Sequence, residues 1–112
     1  MDFKIDKDEL QSAIDVFGVD AQFGMLQEEC AELIVAVNKR RRGSDGYYEN
    51  LIEEIGDTII LLEQVLIYLN DNERIQAAID AKMVRVRQRI AKHDLNAKAD
   101  FIVNHHVPDN NR

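Results

Sequence analysis

Four carboxylates stand out by type and spacing. Glu29 and Glu32 are three residues apart, as are Glu54 and Asp57. They sit in two stretches, LQEECAELIVAV (26–37) and LIEEIGDTIILL (51–62), that repeat at an offset of 25 positions. Glu28-Glu29 answers to Glu53-Glu54 and Glu32 to Asp57. Charged groups beside an apolar stripe are costly unless they are paired or hold a cation. Pairing is scarce here, because no Lys or Arg lies between Arg42 and Arg74. At roughly 100° per residue, Glu29 falls about 60° and Glu32 about 120° from a helical stripe through Leu26. Glu54 and Asp57 repeat those offsets from Leu51, while Glu28 and Glu53 face further out. Two helices packed by these stripes would bring the four inner carboxylates along one edge. Oxygen-only ligands suit Mg²⁺ or Mn²⁺ rather than zinc. The competing reading of each pair is a solvated acidic face.

A second set is basic. Lys82, Arg85 and Arg89 share one flank of a helix at i, i+3 and i+7, in a cluster from Lys82 to Lys92 that contains no acid. Beside a divalent cation such a flank would grip phosphate oxygens, Arg by its fork and Lys as a point charge. Without one it is a solvated basic face. The run Lys39-Arg40-Arg41-Arg42 falls at a helix C-terminus, where the dipole stabilises cations. No aromatic residues are interleaved to stack bases, so nucleic acid is not the expected partner. There is no Ser-His-Asp order, glycine-rich phosphate loop or Cys/His zinc spacing, and His93, His105 and His106 receive no role.

The elements that must position these groups are helices. Residues 7–17 read as a short amphipathic helix with Leu10, Ile14 and Phe17 on one face, capped by Asp6 or Asp8 and ended by Gly18. Asp20 is the expected cap of a second helix reaching about Arg41, with a core stripe of Leu26, Cys30, Leu33 and Val37. The turn GSDG at 43–46 makes the second and third helices antiparallel neighbours. The third runs from about Tyr48 to Leu69, its stripe passing through Leu51, Ile55, Thr58, Leu62 and Val65. Ile60 and Ile67 point to the other side of it. A helix apolar on two faces is buried on two faces, which predicts an oligomer. After a break at Asn70-Asp71-Asn72, a fourth helix is expected from about Glu73 to Lys92, with Ile75, Ile79, Met83, Val86 and Ile90 inward. Periodicity fades from His93, and VPDNNR reads as a loose tail.

Composition sets the outer bounds. A chain of 112 residues is one domain, small enough for association to help it. No Trp, a single Pro and five Gly favour helices over a turn-rich β fold. The net charge of −7 also argues against general nucleic-acid binding. No run of about 18 apolar residues exists to span a membrane. The lone Cys30 suits a reducing compartment and a core position rather than a nucleophile. The opening MDFKIDKDEL lacks the pattern of a signal peptide, so a cytoplasmic protein is expected.

The paired motifs resemble the signature of the MazG-like all-α nucleoside triphosphate pyrophosphohydrolases. The strings AQFGMLQEECAELIVAVNKRRRG and NLIEEIGDTIILLEQV are similar to the short single-domain members of bacteria and their phages, and IDAKMVRVRQRI to their Lys/Arg-rich last helix. The resemblance spans about residues 15–92. It implies a MazG-like helical domain over 1–92 with a loosely ordered extension over 93–112. It also implies hairpins from two subunits completing four-helix bundles, in a homodimer or homotetramer. By the same resemblance, Glu29, Glu32, Glu54 and Asp57 hold Mg²⁺, with Mn²⁺ the substitute. Glu28 holds or deprotonates the attacking water, and Lys82, Arg85 and Arg89 bind the triphosphate. The implied reaction cleaves a (deoxy)nucleoside triphosphate to monophosphate and pyrophosphate, in control of the nucleotide pool. Phosphoribosyl-ATP or a guanosine alarmone is the alternative substrate. A non-catalytic helical oligomer that binds nucleotide or a protein partner is the alternative from another class. The family's aromatic base platform has no Trp here, which leaves Phe17 or Phe23 to stand in for it.

Overall fold

A computed structural model describes residues 2–105. Among them the structure is all-α, with helices α1 (Lys7–Phe17), α2 (Val19–Arg41), α3 (Tyr47–Leu69) and α4 (Asn72–His105). The chain divides into two compact units, one up to Asn70 and one from Asp71 onward.

The first unit holds α1, α2 and α3. The Asp6 side chain caps α1 by accepting from the backbone N–H of Asp8 (2.9 Å) and Glu9 (3.3 Å). Gly18, at φ 91°, then serves both neighbouring helices. Its N–H closes α1 on the Ile14 carbonyl, and its own carbonyl accepts from Gln22 N–H as α2 begins. A side chain at that φ would be strained, which is why a one-residue connection is possible here. The expected cap at Asp20 is therefore displaced: α2 starts at Val19 with no side-chain cap. Leu10 and Ile14 of α1 are buried as expected, whereas Phe17 is 65% exposed.

The hairpin of α2 and α3 is the main packing contact of this unit. Gly46 enters α3 in the left-handed region at φ 74°. The helices run antiparallel, since Gln22 near the start of α2 meets Gln64 near the end of α3, while Lys39 meets Asn50 close to the turn. Their shared seam follows Gln22, Leu26, Glu29, Leu33 and Ala36 on α2. On α3 it follows Leu51, Glu54, Thr58, Leu61 and Val65, all of these buried or half-buried. Steps alternating between three and four residues are those of paired helices that coil about each other. This corrects the stripes expected from hydrophobicity. Cys30 and Val37 are exposed, as are Ile55 and Leu62, because the seam is turned toward Glu29 and Glu54. Ala36 is fully buried at 0% exposure, a small side chain that lets the two backbones come close.

The second unit is α4. Asp71 caps it, its side chain accepting from Arg74 N–H at 3.3 Å and its carbonyl from Ile75 N–H at 3.1 Å. The helix continues to His105, beyond the end expected at Lys92. No Gly or Pro interrupts the chain between those points. The apolar stripe continues too, but in steps of 11: Ile75, Val86 and Ala97 along one line, Ile79, Ile90 and Phe101 along another. Such a period drifts only about 20° per repeat along a helix, and Ile79, Val86 and Ile90 are exposed on these lines, as is Met83 between them. The segment expected to be a loose tail, VPDNNR, lies outside the described residues. No helix among the described residues is long and apolar enough to cross a membrane.

Candidate metal centre

Two turns of α2 and two of α3 position the carboxylates. Because the seam itself passes through Glu29 and Glu54, both are half-buried between the helices rather than on a shoulder. Asp57 lies three residues further along α3 and is exposed. One carboxylate oxygen from each of Glu29, Glu54 and Asp57 falls within 4.8 Å of the others. Glu32 is exposed and outside that group, although its charge reaches Glu29. Glu28 is exposed on α2 and is likewise outside it.

The electrostatics are those of a crowded anionic site. Glu29 is held above the ordinary carboxylate range, first by withdrawal from water and next by the charges of Asp57 and Glu54. The Glu54 side chain, placed to accept a proton held by Glu29, and the charge of Glu32 add to this. Glu54 Oε2 is buried without a hydrogen-bond partner. A buried acceptor left in that state costs about 1–3 kcal/mol, more when charged. The only ion pair among the described residues joins Arg74 to Asp71, so none of these carboxylates is neutralised that way. A cation at the focus of the three oxygens would satisfy the orphaned atom and reverse the repulsion in one step. The donor set, carboxylate oxygens alone, fits a hard divalent ion.

Two features of the site were missed by reading apolar stripes. Thr58, whose helical spacing placed it among core residues, donates from Oγ1 to the Glu54 carbonyl at 2.7 Å and lies 3.5 Å from the Glu29 carbonyl. It therefore ties the backbone of one ligand helix beside the other. Gln22 and Gln64 are buried and bonded to each other, Nε2 to Oε1, at 2.7 Å. The signal for them was spacing: Gln22 precedes Glu29 by seven residues and Gln64 follows Asp57 by seven, two turns along the same faces.

Lys82, Arg85 and Arg89 belong to the second unit, all exposed along one flank of α4. Within the first unit, no ion pair among the described residues neutralises the three carboxylates.

Comparison of the chain with protein-family models, with curated proteins and with solved structures finds no match to any of them.

Proposed function

We propose that this chain is a Mg²⁺-dependent, MazG-like pyrophosphohydrolase that converts a nucleoside or deoxynucleoside triphosphate to its monophosphate and pyrophosphate. The observation that carries the reading is the convergence of Glu29, Glu54 and Asp57 within 4.8 Å around a buried, unpartnered Glu54 oxygen. Acid pairs on a merely solvated face would point to water and find partners there.

In this reading Glu29, Glu54 and Asp57 hold the cation, and Glu32 supports it through its charge from the next turn of α2, outside the three converging oxygens. When bound, Mg²⁺ or Mn²⁺ neutralises phosphate charge and lowers the pKa of a coordinated water. Glu28, exposed beside the cluster, would hold or deprotonate the attacking water. Lys82, Arg85 and Arg89 would bind phosphate oxygens. A second copy of the chain is the proposed partner, in a homodimer or homotetramer within the cytoplasm. Exposed apolar residues at steps of three and seven on the hairpin helices support that: Ile34 and Val37 on α2, Ile52, Ile55, Leu62 and Leu69 on α3.

The test is a panel of nucleotides, phosphoribosyl-ATP and a guanosine alarmone included, incubated with Mg²⁺ and assayed for pyrophosphate. Release from one substrate class, lost in Glu54→Ala, is the expected result. Stabilisation by nucleotide with no product from any member would replace the enzyme with a binding protein. Without nucleotide, millimolar Mg²⁺ should raise the Tm, since a ligand that binds only the folded state stabilises it.

A further inference from the structure

Gln22 and Gln64 are the buried polar side chains of the described residues, at 9% and 4% exposure, and each is the other's partner. Their place is as informative as their bond. The turn closes the hairpin at one end, where Lys39 Nζ donates to Asn50 Oδ1 at 3.2 Å. The glutamine pair crosses it at the open end, two turns from Glu29 on α2 and two from Asp57 on α3. Between these ties sit the mutually repelling carboxylates. We infer that the Gln22–Gln64 pair is a positioning device that holds the open end of the hairpin in the rotation that brings Glu29 to Glu54 and Asp57 before any cation arrives.

An apolar pair would close the helices as well, but it would not fix their rotation. Apolar contact is non-directional, and cores that are merely hydrophobic lose uniqueness before stability. A carboxamide hydrogen bond of 2.7 Å has a direction. A helix rotation of about 20° would move a carboxylate some 6 Å from the axis by roughly 2 Å. Metal–ligand distances tolerate only about 0.2 Å. Single polar side chains in helix seams are known to fix alignment at a cost in stability. Here that alignment is what the carboxylates need.

The inference rests on reading the carboxylates as a cation site, and the experiment separates the two. The native protein, Gln22→Leu, Gln64→Leu and the double variant are compared by metal-free Tm and by Mg²⁺ affinity. A spin-label distance between Ala31 and Glu53, exposed residues on α2 and α3, is measured without metal. Either single change strands a buried amide and should lower the Tm. The double change removes both partners and should keep or raise the Tm, while Mg²⁺ affinity falls about tenfold or more, as for supports behind a metal ligand. The metal-free distance should broaden in the double variant and sharpen again with saturating Mg²⁺. Unaltered affinity and an unaltered distance in a well-folded double variant would overturn the positioning role. Should native protein bind no Mg²⁺, the cation reading fails, and the distance alone decides whether the pair aligns the helices.

Discussion

The two arms of the hairpin carry the same pattern 25 residues apart, and the structure keeps much of it. Leu26 and Leu51 are both half-buried in the seam, Glu29 and Glu54 likewise, and Ala36 and Leu61 are both buried. Cys30 and Ile55 both face out. The arms part at the next carboxylate. Asp57 joins Glu29 and Glu54 within ligand distance, whereas Glu32, its counterpart on α2, is outside the group. They part again at Leu33 and Thr58, where only α3 has a hydroxyl to bind the Glu54 carbonyl. A repeat in sequence is therefore not a symmetry of the site: α3 supplies two of the three converging oxygens and a backbone tie, α2 one. Substitutions at matched positions should show unequal losses.

The largest difference is expected between the acids themselves. Glu54→Ala and Asp57→Ala should each lower pyrophosphate release by on the order of 10²- to 10³-fold, the scale for removing a group that stabilises transition-state charge. Both should abolish the Mg²⁺-dependent rise in Tm. Next comes the matched seam pair Ala36 and Leu61. Ala36→Leu forces volume into a position with no exposure and should destabilise by about 1–3 kcal/mol in urea unfolding. Leu61→Ala leaves a void and should cost about 2–5 kcal/mol. Glu32→Ala should reduce activity by only about tenfold, as for a group acting from outside the first contacts. A loss at Glu32 equal to that at Asp57 would restore the symmetry of the two arms.

The helices, the turn at 43–46 and the carboxylates that converge were all legible in the residues, because periodicity and glycine placement report local structure directly. The angle of the seam was not. Hydrophobicity drew it through Cys30 and Val37, since an apolar residue is the better guess for a contact position than a glutamate. The protein uses Glu29 and Glu54 there instead, at a cost in desolvation that an apolar count does not register. Gln22 and Gln64 escaped for a related reason: a glutamine is read as exposed until its partner, 42 residues away, is known. The length of α4 was hidden by a change of period, from steps within one cluster to steps of 11, which looks like fading when only the shorter pattern is followed.

The subtlest test of the two arms uses pH. Glu29 protonates more readily in the folded chain than its ordinary value of 4.5. Between that value and its folded pKa, the native state binds more protons than the unfolded one, so stability falls as pH rises. The contribution is full below 4.5 and is lost as pH climbs through the folded pKa. Burial is the largest cause, followed by Asp57 and then Glu54, so the effect belongs to the metal-free cluster. Glu29→Gln removes the titrating proton while keeping shape. In metal-free buffer it should flatten this part of the pH dependence of Tm relative to the native chain and raise the Tm at neutral pH. Mg²⁺ should flatten the native profile in the same way, because a cation favours the charged carboxylate, and should do nothing to the variant. The matched substitution Glu32→Gln, at an exposed position outside the cluster, should leave the profile close to native. A native profile that rises through the same window in metal-free buffer, with Glu29→Gln tracing the same curve, would mean that Glu29 does not share the charge of its neighbours across the seam.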